Sequence, residues 1–179
     1  AKLGDNVFVG PYAIIEADVE IGDGTSVVPH ACIYDGARVG KNVKIFQSAS
    51  VSNAPQDLKY ANEKTYFHIG DNTVVREFAT LHRGTVDTGI SQIGSNCLIM
   101  AYAHVAHDCE IGNNCIIANS VQIAGHVTVG DYANFGGYSG VPQFRQIGAH
   151  THIAGMSLVL KDVPAFVTVS GNPASAVGL

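Results

Sequence analysis

The stretch Ile93–Asn134, IGSNCL IMAYAH VAHDCE IGNNCI IANSVQ IAGHVT VGDYAN, divides into hexads that each open on a bulky aliphatic residue and carry a small one at the fifth position. The frame extends in both directions. Upstream it runs from Leu3 (LGDNVF, VGPYAI, IEADVE, IGDGTS) to Ser50 and resumes at Ile69 (IGDNTV, VREFAT); downstream it continues through FGGYSG, VPQFRQ, IGAHTH and IAGMSL to Val159. A fixed internal period decides the architecture before any local propensity does. No helical periodicity of 3.6 competes with it.

A period of six with an aliphatic at position one predicts an all-β chain, a left-handed parallel β-helix of hexapeptide repeats. Each hexad forms one flat side of a triangular prism, so residues eighteen apart stack, one coil above the other, at a parallel-strand spacing of about 4.8 Å. The first-position aliphatic points inward, and the fifth-position residue must be small because it also turns inward near a corner. Cys97, Cys109 and Cys115 all stand at position five, where a thiol acts as a small buried hydrophobe. The helix is expected over residues 1–163, with two loops thrown out of the frame at 52–68 and 83–92 and a closing segment at 164–179 that caps the prism. External loops on such a scaffold commonly build its binding face.

Composition limits the function classes. The chain has 179 residues and a formal charge of −5 at pH 7, with ten basic residues that nowhere cluster. Nucleic acid is therefore not an expected partner. No apolar run is long enough to span a bilayer and the start, AKLGDNVFVG, lacks the pattern of a signal peptide, so a cytoplasmic protein without integral membrane contact is expected. Four cysteines with no CxxC pair predict reduced thiols. The alanine at position 1 suggests a chain that begins inside a longer one.

Hexad arithmetic also places the polar residues. His107 and Asp108 hold positions three and four of VAHDCE and point away from the core. His126 lies eighteen residues beyond Asp108, and Gln143 lies thirty-six beyond His107, on the same prism side. His104 sits one corner earlier. Two chemistries remain open for this outward strip. Zinc would need three imidazoles converging within about 2.1 Å of one point; here the close pair, His104 and His107, is three apart and the third histidine follows at nineteen. That spacing does not converge, unlike the close pair five apart of hexapeptide-repeat carbonic anhydrases. A general base fits better, since an imidazole with a pKa of about 6.5 accepts a proton near neutrality and Asp108 could orient it. Adjacent residues of a strand diverge, so this pairing depends on the corner. Cys109 is a poor nucleophile because the frame turns it inward.

The segments QDLKYANE, REFATLHRGT, LIMAYAHVAHDCEIGN, AGHVTVGDYA, QFRQIGAH and DVPAFVTVSGNPA together resemble the UDP-N-acetylglucosamine 3-O-acyltransferase family, in order and over nearly the whole chain. HRGT at His82–Thr85 separates the chain from the related N-acyltransferase of the same pathway, which usually reads DRG. The resemblance implies a homotrimer with active sites between subunits in a Gram-negative cytoplasm. It implies transfer of an (R)-3-hydroxyacyl group from the phosphopantetheine of acyl carrier protein to the 3-hydroxyl of UDP-N-acetylglucosamine, the first step of lipid A biosynthesis, with no bound cofactor and no metal. It assigns His107 as general base, Asp108 as its support and the Gly125 N–H as oxyanion donor. Gln56, Asp57, Lys59, His104, His126 and Gln143 match substrate-binding positions, and Gly155 matches the position that limits acyl length. Pro142 departs from the pattern, standing where many relatives carry histidine. The resemblance further implies an earlier first coil and a helical C-terminal domain whose basic residues would meet the acidic carrier protein.

Overall fold

The computed structural model describes residues 1–179 and contains twenty-five short strands. They form three sheets: one of eight strands from Lys2–Leu3 to Gln146–Ile147, one of ten from Phe8–Val9 to Ala174–Gly178, and one of seven from Ile14–Ile15 to Gly140–Val141. The first, second and third sheets are the faces of the expected prism. In the region without insertions the parallel partners are eighteen apart: Glu110 with Thr128, Leu98 with Ile116, His104 with Gln122. No helix is long and apolar enough to cross a membrane.

First- and fifth-position side chains fill the interior in one cluster of 37 residues, Ile99, Val105, Ile117 and Ile123 among them, all fully buried. Burying each such side chain is worth about 1.5–3 kcal/mol. The corners follow from the fourth position, whose backbone is left-handed in hexad after hexad: Asn96 at φ 59, Asp108 at 58, Asn114 at 58, His126 at 60, Tyr132 at 62. Positive φ at the third of four turn residues folds the chain back within one step. Asn tolerates this region best; where Tyr, Phe or His occupies it, rings stack between coils, as with Phe78 on Tyr102 and Tyr132 on His150.

Both insertions leave at one corner, between the third sheet and the first, and both are shorter than the lost period suggests. Tyr66–Ile69 pairs with Ala37–Val39 on one side and with Ile90–Ile93 on the other, so residues 66–68 and 90–92 belong to a sheet. Phe67 and Ser91 are buried at the fifth, inward position, but the hexad signal is weak because Glu63 and Asp87 stand where an aliphatic should open the hexad. The closing segment is also more regular than expected. Val163 bridges to Ile147, Thr168–Gly171 adds a parallel strand to the second sheet, and Ala174–Gly178 folds back antiparallel on it.

Candidate active site

The shared corner of the two loops is where the next coil places Ala106–Cys109. Elsewhere the N–H of the fourth hexad residue reaches the third residue's carbonyl one coil below, as Asn114 N–H does to Ser95 O at 2.9 Å and His126 N–H to His107 O at 3.1 Å. Below Asp108 the chain has left the coil, and its N–H donates instead to Ser91 Oγ at 2.7 Å. His107 and Asp108 do point away from the core, but they are not on an open strip. They are 6% and 7% exposed, because the 83–92 insertion covers them. The period could not show this, since the covering residues lie outside it.

The corner settles the pairing that strand geometry left open. With Asp108 left-handed, its carboxylate turns back on its neighbour and Oδ2 lies 2.8 Å from His107 Nδ1. Asp108 also accepts the Thr85 N–H on Oδ1 at 2.9 Å, the Thr85 hydroxyl on Oδ2 at 2.7 Å and the Thr88 hydroxyl on Oδ1. Burial pushes the Asp108 carboxyl up, but the hydrogen bonds from Thr88, His107 and Thr85 outweigh it and hold it below the usual carboxylate range. A charged, acceptor-only Asp108 requires the proton on His107 Nδ1. Nε2 is left as the acceptor, with no partner inside the chain.

His107 borders a cleft of about 400 Å³ that is also lined by Gln56, His104, Gly125, Pro142 and Gln143. Gly125 stacks directly over His107, so closely that a Cβ there would lie 2.5 Å from His107 Cε1 and 2.7 Å from Nε2. At the corner between the first and second sheets some third-residue N–H groups are taken by a side chain one coil up, as Ser95 N–H is by Asn113 and Asn113 N–H by Asp131. Above Gly125 stands Gln143, which makes no such bond, and the Gly125 N–H has no acceptor within the chain. An acceptor nitrogen, His107 Nε2, and a free donor, the Gly125 N–H, thus sit side by side at the cleft wall.

The remaining candidates divide. His126 stands edge-on to His107 with ring centroids 5.1 Å apart, its Nε2 3.6 Å from Asp108 Oδ2, and stacks on Phe144 at 4.6 Å. His104 Nδ1 lies 2.8 Å from Thr80 Oγ1; burial, then the nearby His107, lowers its pKa. Gln56 reaches the cleft from the first loop, whereas Asp57 and Lys59 do not line it; Asp57 Oδ1 caps the turn through Lys59 N–H at 3.0 Å. Gly155 stacks over Gly137 at the opposite end of the third sheet's face, outside the cleft. Cys109 is inert as expected: its Sγ donates inward to Ala124 O at 3.1 Å and burial pushes the thiol up to about 12.

Metal convergence needs a correction. Three imidazoles do not meet, but His107, Asp108 and His126 offer ligand atoms all within 4.8 Å of one another. The carboxylate of that trio already accepts four donors, so a cation would have to displace them. Sequence reasoning missed Thr85, Thr88 and Arg83. The HRGT motif was visible, but nothing in it shows that Thr85 faces a carboxylate, or that Arg83 ties the first loop to the shaft through Tyr60 Oη at 2.8 Å and Ser52 O at 2.9 Å.

Comparison with known proteins agrees with this fold. The bacterial transferase hexapeptide (six repeats) family model matches residues 1–35 and 90–125. An acyl-(acyl-carrier-protein)–UDP-N-acetylglucosamine O-acyltransferase of Psychrobacter sp. (strain PRwf-1) is 49% identical over 180 residues, which span 100% of this chain and 70% of the relative. Among solved structures, LpxA from Acinetobacter baumannii superposes with a TM-score of 0.97 at 48% identity, over 99% of this chain and 69% of that one. The UDP-N-acetylglucosamine O-acyltransferase of Moraxella catarrhalis RH4 gives 0.98 at 44%, over 99% and 70%. With hexads, backbone superposition and identity along the whole of this chain in agreement, the chain belongs to the UDP-N-acetylglucosamine O-acyltransferase family, and its prism is a left-handed parallel β-helix.

Proposed function

We propose that this chain transfers an (R)-3-hydroxyacyl group from the thioester of acyl carrier protein to the 3-hydroxyl of UDP-N-acetylglucosamine, the first step of lipid A biosynthesis, with His107 as general base. One observation carries the mechanism. His107 has its Nδ1 committed to Asp108 and its Nε2 free beside the unpaired Gly125 N–H.

Nε2 takes the proton of the sugar hydroxyl as that oxygen forms its bond to the thioester carbonyl carbon. The carbonyl oxygen becomes an oxyanion and accepts the Gly125 N–H; a donor of this kind is commonly worth about 10²- to 10³-fold. The C–S bond then breaks, the carbonyl re-forms, and the imidazolium returns its proton to the leaving thiolate. The ionised Asp108 stabilises that imidazolium. No bound cofactor enters, since the donor brings its own phosphopantetheine. Gln56, His104, His126 and Gln143 bind the nucleotide sugar and acyl chain around the cleft, with Asp57, Lys59 and Gly155 contributing from outside it. The cleft is open, and a homotrimer would wall it with a neighbouring copy; exposed Phe78, Tyr102, Tyr138 and Met156 at one corner support such assembly. A cytoplasmic location follows from the donor.

The test is product identity. Incubation with UDP-N-acetylglucosamine and an (R)-3-hydroxyacyl-(acyl carrier protein) should give a sugar nucleotide heavier by one acyl group, in an ester that mild base removes. A base-stable amide, or transfer only to a 3-amino analogue, would instead indicate the N-acyltransferase reaction.

A further inference from the structure

The 84–89 loop has no part in the steps above, yet its inward-facing contacts gather on one carboxylate. Thr85 gives Asp108 two donors, its N–H at 2.9 Å and its hydroxyl at 2.7 Å, and Thr88 adds a third on Oδ1. With His107 Nδ1, both oxygens carry two donors each, so the carboxylate plane has one setting that satisfies all four. The loop itself is held for this task. Gly89 N–H returns to Thr85 O at 2.8 Å, Ile90 N–H donates to Thr88 Oγ1 at 3.3 Å, and Gly84 packs where a Cβ would run into Ile90 N at 2.3 Å.

We propose that Thr85 and Thr88 are positioning residues of the acyl transfer: they clamp the Asp108 carboxylate so that it holds the His107 ring with Nε2 at the cleft. This rests on His107 being the general base. Neither threonine lines the cleft, so neither meets substrate, and their influence passes through Asp108 alone. The competing view is that Asp108 merely anchors the loop.

The test compares Thr88→Val, Thr85→Val and the corresponding Ser variants, singly and in an Asp108→Ala background. Thr88 is exposed, so Thr88→Val should leave the melting temperature unchanged and keeps the test usable if Thr85→Val unfolds. Clamping predicts that Thr88→Val lowers kcat about tenfold with both KM values unchanged, the size expected for one hydrogen bond to a charged group. Thr88→Ser should restore turnover to within about twofold, and Thr88→Val should have no further effect once Asp108 is Ala. Unchanged turnover in the Val variants, or a loss that persists undiminished in the Asp108→Ala background, overturns the proposal. Measuring His107→Ala alongside separates the two claims: an active His107→Ala enzyme removes the general base itself, whereas an inactive one with normal Thr variants removes only the clamp.

Discussion

His107 depends on its neighbours above and behind it. Asp108 fixes the tautomer through Nδ1 at 2.8 Å, and Gly125 leaves the ring its place one coil up. Gly125→Ala is expected to abolish turnover, because the new Cβ would lie 2.5 Å from Cε1 and must push the ring off its aspartate. Circular dichroism should remain that of the parent, since the position is outward-facing; normal turnover in Gly125→Ala would show that the ring is not held there. Counting in sixes placed His107, Asp108, His126 and Gln143 on one side of the prism, and the family resemblance added Gly125. The sequence could not show the His107–Asp108 bond, which needs the left-handed Asp108 at φ 58, nor the burial of the pair.

Among the elements, loops and corners decide both site and stability. The insertions were legible as departures from the hexad frame, but their bounds were not, because strand pairing recovers Tyr66–His68 and Ile90–Gln92 whatever their pattern. The strand that precedes the second loop ends on His82, 5% exposed, with Nδ1 unpartnered and the ring edge-on to His104 at 5.1 Å. Burial, reinforced by His104, pulls its pKa down to about 4. An unfolded histidine takes up its proton near pH 6.5, so between about pH 6.5 and 4 the unfolded chain binds more protons and stability is lost as pH falls. The full shift corresponds to about 3 kcal/mol. Melting temperatures from pH 7 to pH 4.5 should therefore fall less steeply for His82→Gln than for the parent; parallel slopes would show that His82 does not titrate with unfolding.

Over the whole molecule, the prism is quasi-one-dimensional, each coil contacting only those above and below it. That is why so much of it was readable: one period fixes the inward residues, the three sheets and the eighteen-residue register together. The closing segment escaped because Thr168–Gly171 and Ala174–Gly178 join the second sheet as a hairpin, outside the repeat. The same modularity makes the site testable, since truncating one outward side chain disturbs no coil's core. The most direct measurement is the single-turnover rate of acyl transfer to UDP-N-acetylglucosamine by His107→Ala, beside its melting temperature. The expected result is a loss of about 10²- to 10⁴-fold at an unchanged melting temperature, the usual worth of a general base; a rate within a few-fold of the parent's would contradict the assignment of His107.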